Sequence, residues 1–267
     1  MKLYDARLRR LVCIEQKATP AFWDRQWARE AAGTGTRPPL NGFVLRVLRE
    51  YCPGKDGLIL EGGCGMGQVV HTMQARGYRA IGVDFGEHTI RQARRVFPDL
   101  DLRVADVTAL PFPDAHFTGY WSLGVIEHSW QGYQAILREM RRVLCPGGYA
   151  FVSFPNMSPL RKIKARLGRY PELNGGEEPE HFYQFILDTA DVVDSFRTAG
   201  FRLVAKKPLD GLKGVKDEVA FLKPALQRLY DYRGGSRLLT GIRALSSSLL
   251  AGLAGHSVFL VFTSTKK

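Results

Sequence analysis

Three acids recur at regular intervals in the first half of this chain. Glu61, Asp84 and Asp106 are separated by 23 and 22 residues, each about one strand–helix unit. Each closes an apolar, strand-like run: L-I-L-E, A-I-G-V-D and L-R-V-A-D. Ligands of parallel sheets sit beyond the carboxyl ends of the strands, so these carboxylates are expected to converge on one crevice. Directly after the first acid comes G-G-C-G-M-G, with Gly63, Gly65 and Gly67 alternating around Cys64 and Met66. Alternating glycines let a backbone take positive φ and approach a ligand closely. Two histidines complete the candidates: His128 follows the fourth strand of the alternation, and His181 precedes a helix expected over 188–199. A histidine is the usual general base for a hydroxyl nucleophile.

The glycine loop is tested first against phosphate ligands. A Walker-type loop ends in G-K-[ST], because the lysine and hydroxyl serve phosphates and magnesium. Here Gly67 is followed by Gln68 and Val69, so that reading fails. The dinucleotide fingerprint G-x-G-x-x-G needs a third glycine for close helix–strand packing. Counting from Gly63 puts Gln68 there, and counting from Gly65 puts Val70 there. A nicotinamide or flavin site is therefore disfavoured.

The elements that must position these residues alternate. Strands are expected at 57–61, at Y-R-A-I-G-V-D, L-R-V-A-D, F-T-G-Y-W-S-L and Y-A-F-V-S-F, then at F-R-L-V-A and H-S-V-F-L-V-F. Helices fall between them, over 67–76, over 87–97 with Ile90, Ala93 and Phe97 on one face, and through Ile136, Met140, Val143 and Leu144. Asp188, with Asp191 three residues on, resembles a capping box for a helix that closes at Gly200. This alternation predicts an α/β fold, a doubly wound parallel sheet covered on both faces. Residues 1–55 read as a helical N-terminal segment, with helices at 19–32 and from Pro39 to Tyr51, the second stopped by C-P-G at 52–54. Residues 56–267 then form the main domain, with insertions at 156–180 and 211–255 read as a substrate cap or lid.

E-G-G-C-G-M-G, followed by L-P-F-P-D-A-H-F, G-V-I-E-H and V-L-C-P-G-G, resembles the motifs of the class I S-adenosylmethionine-dependent methyltransferases. The likeness is to the type 11 group that includes the ubiquinone and menaquinone biosynthesis enzymes, and it covers roughly residues 57–207. It implies a Rossmann-like, seven-stranded, mostly parallel sheet whose last strand, H-S-V-F-L-V-F, runs antiparallel. It implies S-adenosyl-L-methionine as cofactor and S-adenosyl-L-homocysteine as product. Gly63, Cys64, Gly65 and Gly67 would then face the methionine part, with Glu61 bracing the loop. Asp84 would bind the ribose, Phe85 pack on the adenine, Asp106 accept from its amine, and the Val107 backbone read its ring edge. Ser122 would offer a backbone carbonyl near the ammonium group. F-W-D-R-Q-W looks like the aromatic N-terminal segment that covers the cofactor in this family, which places Trp23 and Trp27 there. Glu127-His128 resembles an acid–His pair common at that position, which makes His128 a candidate catalytic base and His181 a second one.

Composition narrows the acceptor only partly. Four cysteines with no C-x-x-C pair argue against a disulfide framework and give no metal site. Charges interrupt the first residues where an export signal needs apolar ones, so a cytoplasmic protein is expected. The net charge of +12 would suit nucleic acid, an anionic membrane surface or an acidic substrate. Nucleic acid is disfavoured: the S-L-G-V-I-E-H stretch lacks the [DNS]-P-P-[YFW] of amino-methylating DNA enzymes, and no RNA-binding module is recognisable. The basic run 161–169 is read as open either to phosphate contact or to simple pairing with the acidic run after it. In 211–255, Leu238, Ile242, Leu245, Leu249 and Leu253 form an apolar stripe. Lys213, Lys216, Lys223, Arg228, Arg233, Arg237 and Arg243 flank it. That combination suits a lid over a greasy or anionic substrate, or a peripheral membrane contact. The expected reaction is methyl transfer to a small-molecule or lipid-like acceptor, oxygen before carbon. A non-catalytic cofactor-binding or membrane-associated subunit is the alternative of another class.

Overall fold

The computed structural model describes residues 1–32, 39–52, 54–232 and 234–265; Pro53 and Arg233, used in the reading above, lie outside them. In chain order the first elements are β1 (Lys2–Asp5), β2 (Arg10–Ile14), α1 (Pro20–Ala32), α2 (Gly42–Tyr51), β3 (Leu58–Gly62), α3 (Gln68–Gln74), β4 (Arg79–Asp84) and α4 (Glu87–Val96). Then follow β5 (Leu102–Val104), β6 (Phe117–Leu123), a 3-10 turn (Ile126–His128), α5 (Gln134–Val143), β7 (Leu144–Pro155), α6 (Pro159–Arg166) and β8 (Phe182–Ile186). The chain continues through α7 (Thr189–Thr198), β9 (Phe201–Leu209), α8 (Gly211–Glu218) and a second 3-10 turn (Ala220–Leu222). It closes with α9 (Lys223–Asp231), α10 (Arg237–Ala254) and β10 (Ser257–Ser264).

Seven strands form one sheet in the order β5-β4-β3-β6-β7-β10-β9. Strands β3 to β7 pair in parallel, and β10 runs antiparallel to both of its neighbours. The reason for the apolar V-F-L-V-F lies in burial on both faces. Val258, Leu260 and Phe262 enter the apolar layer on one side of the sheet, and Phe259 and Val261 enter the other. The chain winds outward from β3 to β5 on one side and from β6 on the other. The switch point of the sheet therefore lies between β3 and β6, where open α/β sheets place their ligands.

The N-terminal segment departs from the helical expectation. Residues 2–14 form the hairpin β1–β2, and β2 pairs antiparallel with β8 to make a separate three-stranded sheet. Leu11 and Val12 are fully buried there. The arginines of the connecting turn obscured this pattern, because they surround two short strands with charge. From Pro20 onward the segment is helical, as α1 and α2. Asn41 caps α2 by accepting the Phe43 and Val44 amides at 3.0 and 3.3 Å.

Candidate active site

The loop after β3 is shaped by its glycines. Gly63, Gly65 and Gly67 take φ values of 75°, 48° and 75°, a region that other residues enter only with strain. The Gly63 and Cys64 amides donate to the Val83 carbonyl at 2.8 and 2.9 Å, which ties the loop to β4. A Cβ on Gly63 would lie 2.5 Å from the Val125 side chain, and one on Gly65 2.5 Å from the Trp27 ring. No side chain fits either position. Gly67 serves differently: it is the left-handed residue from which α3 starts.

Around this loop lies a cavity of about 470 Å³, within the usual range for small-molecule sites. Glu61, Gly63, Cys64, Asp84, Phe85, Asp106, Val107, Trp23, Trp27 and His128 all contribute to its wall. Asp84 accepts the Gly86 amide on Oδ1 and the Gly65 amide on Oδ2, both at 2.9 Å. Each oxygen keeps a further lone pair for a ligand. Burial pushes its carboxyl up, and those two amides work against the shift. Burial drives the Glu61 carboxyl well above the ordinary carboxylate range, and its Oε2 has no partner. Asp106 accepts the Thr108 amide at 2.8 Å. Phe85 stands at the rim, 45 % exposed.

One wall comes from α1. Asp24 pins this helix to α4 by accepting from the Thr89 amide and hydroxyl at 3.0 and 2.8 Å. Trp23 thereby meets His128 edge-on, with ring centres 4.9 Å apart. The Nδ1 of His128 lies 2.8 Å from the Tyr183 carbonyl oxygen. That oxygen can only accept, so Nδ1 carries the proton, and Nε2 is left as the basic nitrogen of the neutral ring. Burial holds the imidazole below its ordinary value, so the ring is neutral near pH 7. Its neighbour Glu127 is buried with Oε2 unpartnered, and burial pushes its carboxyl up to about 8.

Four expected residues do not reach the wall. Gly65 and Gly67 act from behind it, as described. Ser122 is buried inside β6; the turn at Gly124, with φ 70°, carries Leu123, Gly124 and Val125 to the cavity instead. His181 is exposed, and its carbonyl accepts the Glu15 amide at 3.0 Å. It stands outside the cavity wall, and Tyr183, two residues on, is the neighbour whose carbonyl meets His128. Sequence reading missed Asp24, Val125 and the Tyr183 carbonyl. The glycine of G-V-I-E-H, directly after a strand, signalled the turn; a backbone acceptor leaves no signature in side-chain types.

Neither insertion lines the cavity. The basic run of α6 pairs with acids elsewhere in the chain. Arg161 and Lys164 bond to Glu218 at 2.9 and 2.7 Å, and Lys162 bonds to Asp188 at 2.7 Å. The later acidic run contributes Glu178, which pairs with Lys17 at 3.1 Å. α10 packs against both α6 and α8, and so brings Glu218 of α8 within reach of the α6 cations.

Comparison with known proteins bears on this site. Residues 60–152 match the family described as "Methyltransferase domain". A Mycolicibacterium smegmatis protein named "Probable S-adenosylmethionine-dependent methyltransferase" is 35 % identical over 160 residues, 60 % of this chain and 57 % of that protein. A malonyl-[acyl-carrier protein] O-methyltransferase of Erwinia pyrifoliae is 32 % identical over 133 residues, 48 % of this chain and 50 % of that one. The chain thus spans about half the length of these curated relatives. Among solved structures, a Burkholderia thailandensis 1,6-didemethyltoxoflavin-N1-methyltransferase with bound S-adenosylhomocysteine shares the fold. It has a TM-score of 0.54 and 15 % identity, and 99 % of each chain is covered. By the match of residues 60–152 and by sequence, this part of the chain is similar to S-adenosylmethionine-dependent methyltransferases, and the chain shares the fold of such a protein.

Proposed function

We propose that the chain transfers the methyl group of S-adenosylmethionine to an oxygen of a small-molecule or lipid-like acceptor. The observation that carries this reading is His128, a buried neutral imidazole on the cavity wall with one ring nitrogen held by the Tyr183 carbonyl and the other basic. The residues present fit the cofactor. Two glycines let the backbone approach where a Cβ would collide, and the unpartnered Glu61 Oε2 stands in the same wall. Asp84 and Asp106 offer carboxylate acceptors for ribose hydroxyls and the adenine amine. Phe85 offers an exposed ring face for adenine.

When bound, S-adenosylmethionine supplies a methyl group on a positively charged sulfur that departs as a neutral thioether. The remaining work falls to this chain. The glycine loop and the three strand-end acids fix the cofactor's position. Trp23 and Trp27 of α1 exclude water from the reacting atoms and restrict how an acceptor enters. His128 takes the acceptor's hydroxyl proton on Nε2, which raises the nucleophilicity of that oxygen. The O-methyltransferase name of the Erwinia relative supports oxygen as the target.

The test uses an acceptor found by screening quinones, phenols and lipids. His128→Ala is expected to lower turnover by roughly 100-fold or more, with little change in cofactor affinity. A base must be neutral to act, so wild-type turnover falls as pH drops through the His128 pKa, which lies below 6.5. The variant loses that acid limb. Equal turnover in the variant would reduce His128 to a packing partner of Trp23.

A further inference from the structure

α10 turns its apolar side away from the protein. Its last turns are fixed by close contact with α8. A Cβ on Gly211 would lie 2.3 Å from the Ala251 nitrogen, and one on Gly214 1.5 Å from the Ala254 carbonyl oxygen. Ala251 and Ala254 are buried there. Along the rest of the helix, Arg243, Ser246, Ser247 and Leu250 are half-buried, while the other large apolar side chains face water. Leu238, Ile242, Leu245, Leu249 and Leu253 follow one helical stripe, roughly 22 Å long at 1.5 Å per residue. Leu245 and Leu249 are 62 and 74 % exposed. A continuous exposed apolar ridge of this size marks a surface that is covered in use.

The charge around the ridge says what covers it. From Lys223 to Ala254 the sequence carries Lys223, Arg228, Arg233, Arg237 and Arg243 against a single acid, Asp231. Lys223, Arg228 and Arg237 are exposed, and Asp231 is engaged by the Gln227 amide. An apolar ridge on a segment with this excess of cations complements an anionic lipid surface. A second copy of the chain, laid ridge to ridge, would bring those cations against their own kind. Among the described residues no helix is long and apolar enough to cross a membrane, so the contact is peripheral.

We propose that α9 and α10 dock the protein on an anionic lipid surface, with the leucine ridge at the boundary of headgroups and acyl chains. The position suits a lipid-borne acceptor. Both β7 and β9 end opposite Ser257, at Pro155 and Leu209, and β6 pairs Leu123 with Ser153 of β7. The elements that carry the ridge therefore stand at the same edge of the sheet as the cavity. That last point rests on the proposed methyl transfer; the docking does not.

Co-sedimentation with vesicles tests it, using phosphatidylcholine alone and phosphatidylcholine with phosphatidylglycerol. The full chain is expected to pellet with the anionic vesicles and remain in solution with the neutral ones. Leu245→Glu with Leu249→Glu should abolish pelleting, and each of Lys223→Ala and Arg237→Ala should weaken it about fivefold. Calorimetric titration with S-adenosylmethionine on the same samples shows that the variants are folded. It also separates the two proposals, since a wild-type chain that binds S-adenosylmethionine yet pellets with neither vesicle overturns the docking alone. A wild-type chain that ignores anionic vesicles overturns the proposal, as does a double variant that pellets like wild type. A dimer that the leucine variant turns into a monomer, without vesicle binding, would assign the ridge to a second copy.

Discussion

Glu127 and Glu218 are both buried carboxyls, and their surroundings drive them in opposite directions. Burial alone would raise Glu218, yet the charges of Lys2 and Arg161 and the hydrogen bond from Lys164 hold it at about 2. Tyr170 also donates to it at 2.6 Å. Burial raises Glu127 as well, to about 8, and no side chain opposes the shift. Glu218 joins the N-terminal hairpin, α6 and α8, away from the cavity. Glu127 sits between the cavity residues Val125 and His128. The difference separates a carboxyl used as structure from one left with an unmet hydrogen bond beside a ligand site. Buried polar groups are ordinarily satisfied, and exceptions call for a reason in function.

The largest effect near neutral pH is expected at Glu218. Glu218→Ala strands Arg161, which is 0 % exposed, and removal of one partner from a buried pair costs about 3 to 5 kcal/mol. Urea unfolding should show that loss near neutral pH, while the folded fraction still binds S-adenosylmethionine normally. The folded pKa of Glu218 is depressed, so its contribution is present above about 4.5 and disappears as pH falls through about 2. Wild type and variant should therefore converge in strong acid. An unchanged midpoint at neutral pH would show that the network around Glu218 contributes nothing.

An effect of opposite sign sharpens the other side. The folded pKa of Glu127 is raised, so its stability contribution is complete below about 4.5 and is lost as pH rises towards about 8. Glu127→Gln keeps the shape and removes the titration. Above about pH 8 the variant should be the more stable protein, by on the order of 5 kcal/mol, and the two should match in mild acid. Parallel stability curves for the two proteins across that range would mean that Glu127 ionises freely in the folded state.

The same contrast explains what the sequence disclosed. The cavity side was legible because its parts repeat: an apolar run, an acid at its end, then a helix, with glycines where the backbone must bend. Glu61, Asp84 and Asp106 could be placed before any coordinates. The supporting side was not legible, because its order comes from long-range pairing. Glu218 meets Lys2, Arg161 and Lys164 only after α8 has folded back towards α6. The strand β8 hides in F-Y-Q-F-I, too short to announce its partner β2. The leucine stripe of α10 was visible as a period, but a period gives a face and not the direction in which it points.

We propose that the loop after β3, with Asp84 beside it, holds S-adenosylmethionine. Isothermal titration of the purified chain with S-adenosylmethionine, S-adenosylhomocysteine and NADH tests it most directly, repeated on Asp84→Ala. Binding of the first two and none of NADH is expected, with a loss of roughly 100-fold in the variant, since two hydrogen bonds to a charged group disappear; the variant should still fold, with a lowered midpoint because the Gly65 and Gly86 amides lose their acceptor. Undiminished binding by Asp84→Ala, or binding of NADH in place of the other two, would contradict it.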